Sequence, residues 1–293
     1  MRYLVAFISK SLFQASLVAG LFGALSIAIV PISIVSAGVV AFVAMRRGFN
    51  NGFTVAFSAT VIVVVLGVFI ESRPGLSWPV VFFLYPPVLL GAWVLKETQS
   101  QGLLVLSAGV ISTLFVLGMY LVSDDVTTFW QNWLSVAVSG VEGATVKGFE
   151  LDGTLPLMNG IITTVYTLSL VISLFIGRYL QSLAYNPGGF NEEFYALKIP
   201  FLALTTIIAL IALSAAANQQ MMMDLLMVFS AVFFFQGLAV LHGVVHKRKM
   251  GIGWLLPPYA GVLLVPRFII VGLAILGVLD VLVDFRSRSN DGR

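Results

Sequence analysis

The whole of Met221–Val245 carries a single carboxylate, Asp224, and a single histidine, His242. A tract this long and apolar is the length that crosses a bilayer as a helix, for which about 20 apolar residues suffice. In lipid every backbone N–H and C=O must find its partner within the chain, so such a tract folds as a helix. Tracts of this kind recur along the sequence: Leu12–Ile29, Pro31–Met45, Phe53–Ile70, Trp78–Leu95, Leu103–Val122, Leu155–Ile176 and Phe201–Ala217 precede it, and Trp254–Phe285 follows. The fold class this predicts is all-α, a polytopic transmembrane helix bundle of about eight to ten hydrophobic segments forming one integral membrane domain over residues 1–293.

Composition agrees. Apolar residues make up 59% of the chain and charged residues 10%, against about 25% charged in a soluble domain. The net charge of +3 comes with no basic patch interleaved with aromatics, so no nucleic-acid partner is expected. The absence of cysteine removes disulfides, thiol nucleophiles and thiolate metal sites. The apolar run after Arg2 and Lys10 is too long for a cleaved signal segment and reads as an uncleaved first span.

Orientation follows from the Lys/Arg bias of the connections. With the N-terminus in the cytoplasm, Arg2, Lys10, Arg46, Arg47, Lys96, Arg178, Lys198 and Lys247–Lys249 face inward, ten in all, and Arg73 and Lys147 face outward. The segment at about 123–154 is then an extracytoplasmic loop, and that at about 178–200 a cytoplasmic one. The last tract strains this count, because one span would place Arg286, Arg288 and Arg293 outside. A break at Pro266 returns the tail inside and is the favoured reading.

The outer loop has helical periodicity. Phe129, Trp130, Trp133, Leu134, Ala137, Val138 and Val141 share one face behind Asp124 and Asp125, which reads as an interfacial helix with Trp anchors or as a lid. In the inner loop Pro187-Gly188-Gly189 breaks the helix. Phe190, Phe194 and Leu197 then line one face of a short amphipathic helix, with Asn191 available as its cap. The candidate functional surface is Arg178, Asn186, Glu192, Glu193 and Lys198, with a cation expected beside the carboxylates.

Ionisable residues inside a membrane are functional candidates because burying them is costly. Asp224, Arg267 and Asp280 qualify. The hairpin reading brings Arg267 and Asp224 within reach of one another, and Asp280 with Asp284 reads as an anchor at the inner interface. Gln236, Tyr166, Asn159, Thr163 and Thr164 are the other polar groups in apolar spans. Ala15, Ala19 and Gly23 repeat at spacing four and form a close-packing face, for the protein's own bundle or for a docked subunit. No nucleophile elbow, phosphate loop or dinucleotide fingerprint is present, and His242 with His246 lacks the glutamate of a zinc motif. No enzymatic activity, catalytic residue, metal or cofactor is therefore expected.

Three stretches carry a resemblance. GRYLQSLAYNPGGFNEEF from Gly177, RRGFNNG from Arg46 and the terminal LGVLDVLVDFRSR are similar to the YybS-like family of multi-pass bacterial membrane proteins, a domain of unknown function. The resemblance spans essentially the whole chain and implies a bacterial cytoplasmic (inner) membrane location. That family is distantly similar to the S components of energy-coupling-factor transporters and to the shape-determination protein MreD. S components dock their partner through an Ala-x-x-x-Ala surface on the first helix, matched here by Ala15 and Ala19. They usually have six spans, and this chain adds an outer loop and further spans. The resemblance implies a transporter-like subunit that binds or moves a small molecule; the alternative is a scaffold of a cell-envelope assembly. The partners expected are the lipid bilayer, another membrane protein subunit and a small-molecule ligand.

Overall fold

The computed structural model describes residues 2–70, 80–139 and 146–288, which contain helices and no strand. In chain order these are α1 (Arg2–Lys10), α2 (Leu12–Leu25), α3 (Ile32–Arg47), α4 (Phe49–Ile70), α5 (Val81–Thr98), α6 (Gln101–Val122), α7 (Val126–Val138), α8 (Lys147–Leu151), α9 (Met158–Tyr185), α10 (Gly189–Tyr195), α11 (Phe201–Ala217), α12 (Gln219–Lys247), α13 (Leu256–Leu264), α14 (Pro266–Val283) and α15 (Phe285–Arg288). Short 3₁₀ turns lead into α9 and α13. Among the described residues five helices (Phe49–Phe69, Gln101–Val122, Leu155–Tyr185, Gln219–Lys247 and Pro266–Val283) are long and apolar enough to cross a membrane, and Leu12–Leu25, Phe201–Ala217 and Ile252–Leu264 are shorter apolar helices. Arg73, Trp78, Val141, Arg293 and the side chain of Arg288 lie outside what is described.

The bundle is knitted by α3 against α9, α2 against α4, and α12 against α14, α9 and α6. Small residues set these crossings, as packing without a hydrophobic driving force requires. A Cβ on Gly177 would lie 2.5 Å from Ala41 Cβ, so α9 and α3 meet nearly backbone to backbone. Ala15, Ala19 and Gly23 serve the same purpose within the chain. All three are buried, and Gly23 faces Val63 of α4, Ser36 of α3 and Tyr85 of α5. The face is filled by the protein's own helices, which leaves no room for the docked subunit there.

Two features of the helices have local causes. Pro86 and Pro87 lie inside α5 without breaking it. Proline cannot donate to the carbonyl four residues earlier; for Pro87 that is Phe83, whose oxygen accepts the Tyr166 hydroxyl at 3.0 Å instead. The helix expected to end at Ile176 continues to Tyr185. Its last turns are polar, yet nothing from Gly177 to Tyr185 forbids a helix, and the break falls at Asn186-Pro187. Arg178 thus stands two turns inside α9.

The terminal tract does break. Val265, at φ −140°, separates α13 from α14, and a Cβ on Gly261 would touch Ile269, as only a chain turned back on itself allows. Beyond α14, the Arg286 carbonyl accepts Lys247 Nζ at 2.6 Å, so the tail returns to the end where α12 stops.

Candidate functional site

Two polar centres lie at opposite ends of α12. The first is built on Asp224, in its second turn and fully buried. The Asp224 Oδ2 accepts the Tyr120 hydroxyl at 2.8 Å and the Asn159 Nδ2 at 2.7 Å. Asn159 Oδ1 in turn accepts Trp130 Nε1 at 3.2 Å. Four elements converge here: α6 brings Tyr120 from its last turn, α9 brings Asn159 from its first, and α7 brings Trp130 across the top.

Helix α7 is held over this end by its apolar face. Trp130 and Leu134 are buried against Leu155 and Met158. Asp125 caps its N-terminus, accepting Thr127 N at 2.9 Å. These hydrogen bonds, from the Thr128 hydroxyl and then the Thr127 amide, hold the Asp125 carboxyl below the usual carboxylate range. The interfacial helix of the sequence is therefore also a cover, because its central tryptophan reaches into the polar cluster.

Asp224 Oδ1 faces the Gly160 backbone in the first turn of α9 and lacks a hydrogen bond of good geometry. A Cβ at residue 160 would come within 2.8 Å of this oxygen, so glycine admits the carboxylate to the helix end. The positive pole of α9 favours the charge there, but no cation pairs with it among the described residues. The expected Arg267–Asp224 pair is not formed: Arg267 is exposed at the start of α14 and makes no ion pair among the described residues. Below Asn159, Thr163 and Thr167 continue the same face of α9, and Thr167 Oγ1 lies 2.8 Å from Ser112 Oγ of α6. The Thr113 and Thr164 hydroxyls are buried without partners.

The second centre gathers the inner-loop candidates at the end that also holds Arg46, Arg47 and Lys96. Glu193 pairs with Arg178 in a bidentate contact, Arg178 Nε donating at 2.8 Å, and accepts Gln101 Nε2 at 2.9 Å. Lys198 binds Asp284 at 2.7 Å rather than a loop carboxylate. Glu192 and Asn186 are exposed and make no ion pair among the described residues. The cap of α10 is Gly188, at φ +94°, and not Asn191. The aromatic face of α10 turns into the bundle: Phe175 stands edge-on to Phe190, Phe194 and Phe235, with centroids 5.5–5.7 Å away.

Asp280, expected as an interfacial anchor, is fully buried. Its Oδ2 accepts Gln236 Nε2 at 2.9 Å and Arg286 Nη2 at 2.7 Å, and its Oδ1 accepts Phe285 N at 3.2 Å. The Gln236 Oε1 accepts the Ile199 amide at 2.8 Å. His242 accepts or donates to Tyr259 OH at 3.1 Å, and His246 stacks on Tyr195. Among the described residues no group of three or more His, Asp or Glu is placed to hold a metal.

Glu193 gives a pH prediction. Burial raises its pKa, but the hydrogen bonds from Arg178 and Gln101 and the Arg178 charge outweigh burial and leave it depressed. A depressed folded-state pKa stabilises above the unfolded value, and that stability is lost as pH falls through the folded one. Glu193→Gln is expected to lower stability at neutral pH by about 1–2 kcal/mol. The difference from wild type should close below about pH 4.3, where an unfolded glutamate protonates. Melting curves from neutral to acid pH measure this; a gap that stays constant with pH would show the pairing to be unimportant.

No family model matches the chain, and no curated protein or solved structure matches it significantly. The helices themselves define the class: a membrane-embedded, multi-pass, all-α protein.

Proposed function

We propose that this chain is a transporter-type subunit of the bacterial cytoplasmic membrane that binds a small cation or a proton at Asp224. This is the YybS-like, S-component-like reading of the sequence with a site attached to it. The observation that carries it is a fully buried carboxylate in a spanning helix with one oxygen unbonded and no cationic partner among the described residues. An isolated buried charge is strongly unfavourable, so the site calls for a positive ligand or a proton. Tyr120 and Asn159 fix the other oxygen, and Trp130 orients Asn159 from the covering helix. Inward of it Thr163 donates to the Asn159 carbonyl and Thr167 to the Thr163 carbonyl, and the buried Thr113 and Thr164 hydroxyls add neutral oxygens to the same interior.

Asp224→Asn tests this, since the amide keeps an acceptor for Tyr120 and removes the charge. Purified wild type is expected to gain thermal stability on addition of its cation or on acidification, by about 2.7 kcal/mol at a hundredfold excess over Kd. The variant should not respond, and proteoliposomes containing it should lose uptake of that ion. A variant that responds as wild type does would refute the site. The envelope-scaffold reading draws support from the close helix crossings, and it expects Asp224→Asn to leave partner retention and growth intact.

A further inference from the structure

The tail of α12 ends in a turn whose cations are not absorbed by the ion pairs above. Lys249 has φ +52°. The turn closes through Met250 N to Val245 O at 3.0 Å and Lys249 N to His246 O at 3.1 Å, the two bonds of a helix-ending motif whose left-handed position ordinarily takes glycine. A lysine held there against the preference of the backbone points to a use for its side chain. Beside it opens a cavity of about 480 Å³, lined on its polar side by Glu192, Tyr195, His246, Lys247, Lys249 and Arg286. Arg286 is spent on the carbonyls of Tyr195 and Leu197 and on Asp280. Lys247 gives one N–H to the Arg286 carbonyl and keeps two. Lys249 Nζ and the His246 ring nitrogens make no hydrogen bond among the described residues.

We propose that this cavity holds the phosphate of an anionic phospholipid headgroup. Free ammonium donors converge on one small space, which is the chemistry of a phosphate site. Depth selects a lipid over a soluble phosphate. Helix α12 has 29 residues, about 43 Å at 1.5 Å per residue, the thickness of a bilayer with its headgroups. Lys247 therefore emerges at the level of the lipid phosphates. The remaining wall is apolar, from Ala196, Gly243 and Val244, and suits the glycerol and first acyl carbons. The exposed Glu192 of the lining disfavours a second anionic group and accepts a headgroup hydroxyl, as phosphatidylglycerol offers. The site is independent of Asp224, at the other end of the same helix.

The test measures retention of phosphatidylglycerol, phosphatidylcholine and inorganic phosphate by the intact detergent-purified protein, using native mass spectrometry and thermal shift. Lys249→Gly is the central variant, because glycine suits the left-handed turn and the protein should melt at or above wild type. Its affinity for phosphatidylglycerol is expected to fall about fivefold, and further when Lys247→Gln is added, with phosphatidylcholine unaffected. Unchanged phosphatidylglycerol retention in the double variant would overturn the site. Stabilisation by millimolar inorganic phosphate equal to that by the lipid, with displacement of the lipid, would overturn the lipid assignment.

Discussion

Gly277→Ala is expected to destabilise the bundle by about 3 kcal/mol or more, the upper end of the range for overpacking. Gly272→Ala, five residues earlier on the same helix, should leave stability unchanged or raised. A Cβ on Gly277 would stand 2.2 Å from the Phe233 carbonyl oxygen and 2.9 Å from Gly237 N. The reciprocal Cβ on Gly237 would stand 1.9 Å from the Leu273 oxygen. All of these obstacles are backbone, which has no rotamer to escape into, so α12 and α14 would have to separate along their contact. That contact holds the Gln236–Asp280 bond, and separation strains it too. At Gly272 nothing lies within 4 Å, so alanine there only relieves the entropic cost of glycine in a helix, about 0.5–1 kcal/mol. Thermal unfolding of the two variants in one detergent decides the matter; equal melting temperatures would show that the crossing yields easily.

This crossing was not legible in the sequence, and the reason is physical. Close packing leaves a recognisable pattern when small residues repeat on one face, as Ala15, Ala19 and Gly23 do. Gly237 and Gly277 have large residues four positions away on either side (Phe233 and Leu241, Leu273 and Val281), and what pairs them is the meeting of two helices forty residues apart. The fold class and the segments, by contrast, follow from one local property, the length of the apolar tract. The apolar tract Phe201–Ala217 and helix α11 coincide to the residue, because Pro200 and Asn218 stop it at both ends. Helix α9 runs past the end of its apolar tract because polarity marks where lipid stops, whereas helices stop where backbone geometry fails.

The candidate sites divide in the same way. Asp224, Asn159 and Gln236 are conspicuous as polar residues in apolar tracts, and Glu193 with its cation follows from loop charge. Their partners are invisible to that test. Tyr120 and Trp130 look like ordinary interfacial aromatics until α7 folds back over α9. Arg267 was the apparent partner for Asp224 on a count of charges, yet Asp224 is met by an amide and a phenol. Asp280 looked like an interfacial anchor because it sits near the C-terminal end of its helix, and only the return of Arg286 over it makes it a buried centre.

Removing that return is the second large effect. Arg286→Ala is expected to cost about 3–5 kcal/mol, the range for breaking a buried ion pair from one side. Asp280 is fully buried and the Arg286 side chain is 14% exposed. The guanidinium also donates to the Tyr195 and Leu197 carbonyls at 2.6 and 2.8 Å. Without it, a buried carboxylate keeps only the Gln236 amide and the Phe285 N–H, and two carbonyls lose a charged donor. The connection from α10 to α11 then keeps the exposed Lys198–Asp284 pair but loses its buried tie to the tail, while Gln236 still holds the Ile199 amide. A double variant separates the worth of the pair from the penalty of orphaning one member. Asp280→Leu with Arg286→Met removes both charges and keeps apolar bulk, so it should be more stable than Arg286→Ala by about 1–3 kcal/mol. Unfolding midpoints of Asp280→Leu, Arg286→Met and the double variant provide the cycle. If the double variant falls at the sum of its singles, Asp280 and Arg286 act independently, and the tail is held by the guanidinium bonds to the Tyr195 and Leu197 carbonyls and not by the pairing with Asp280.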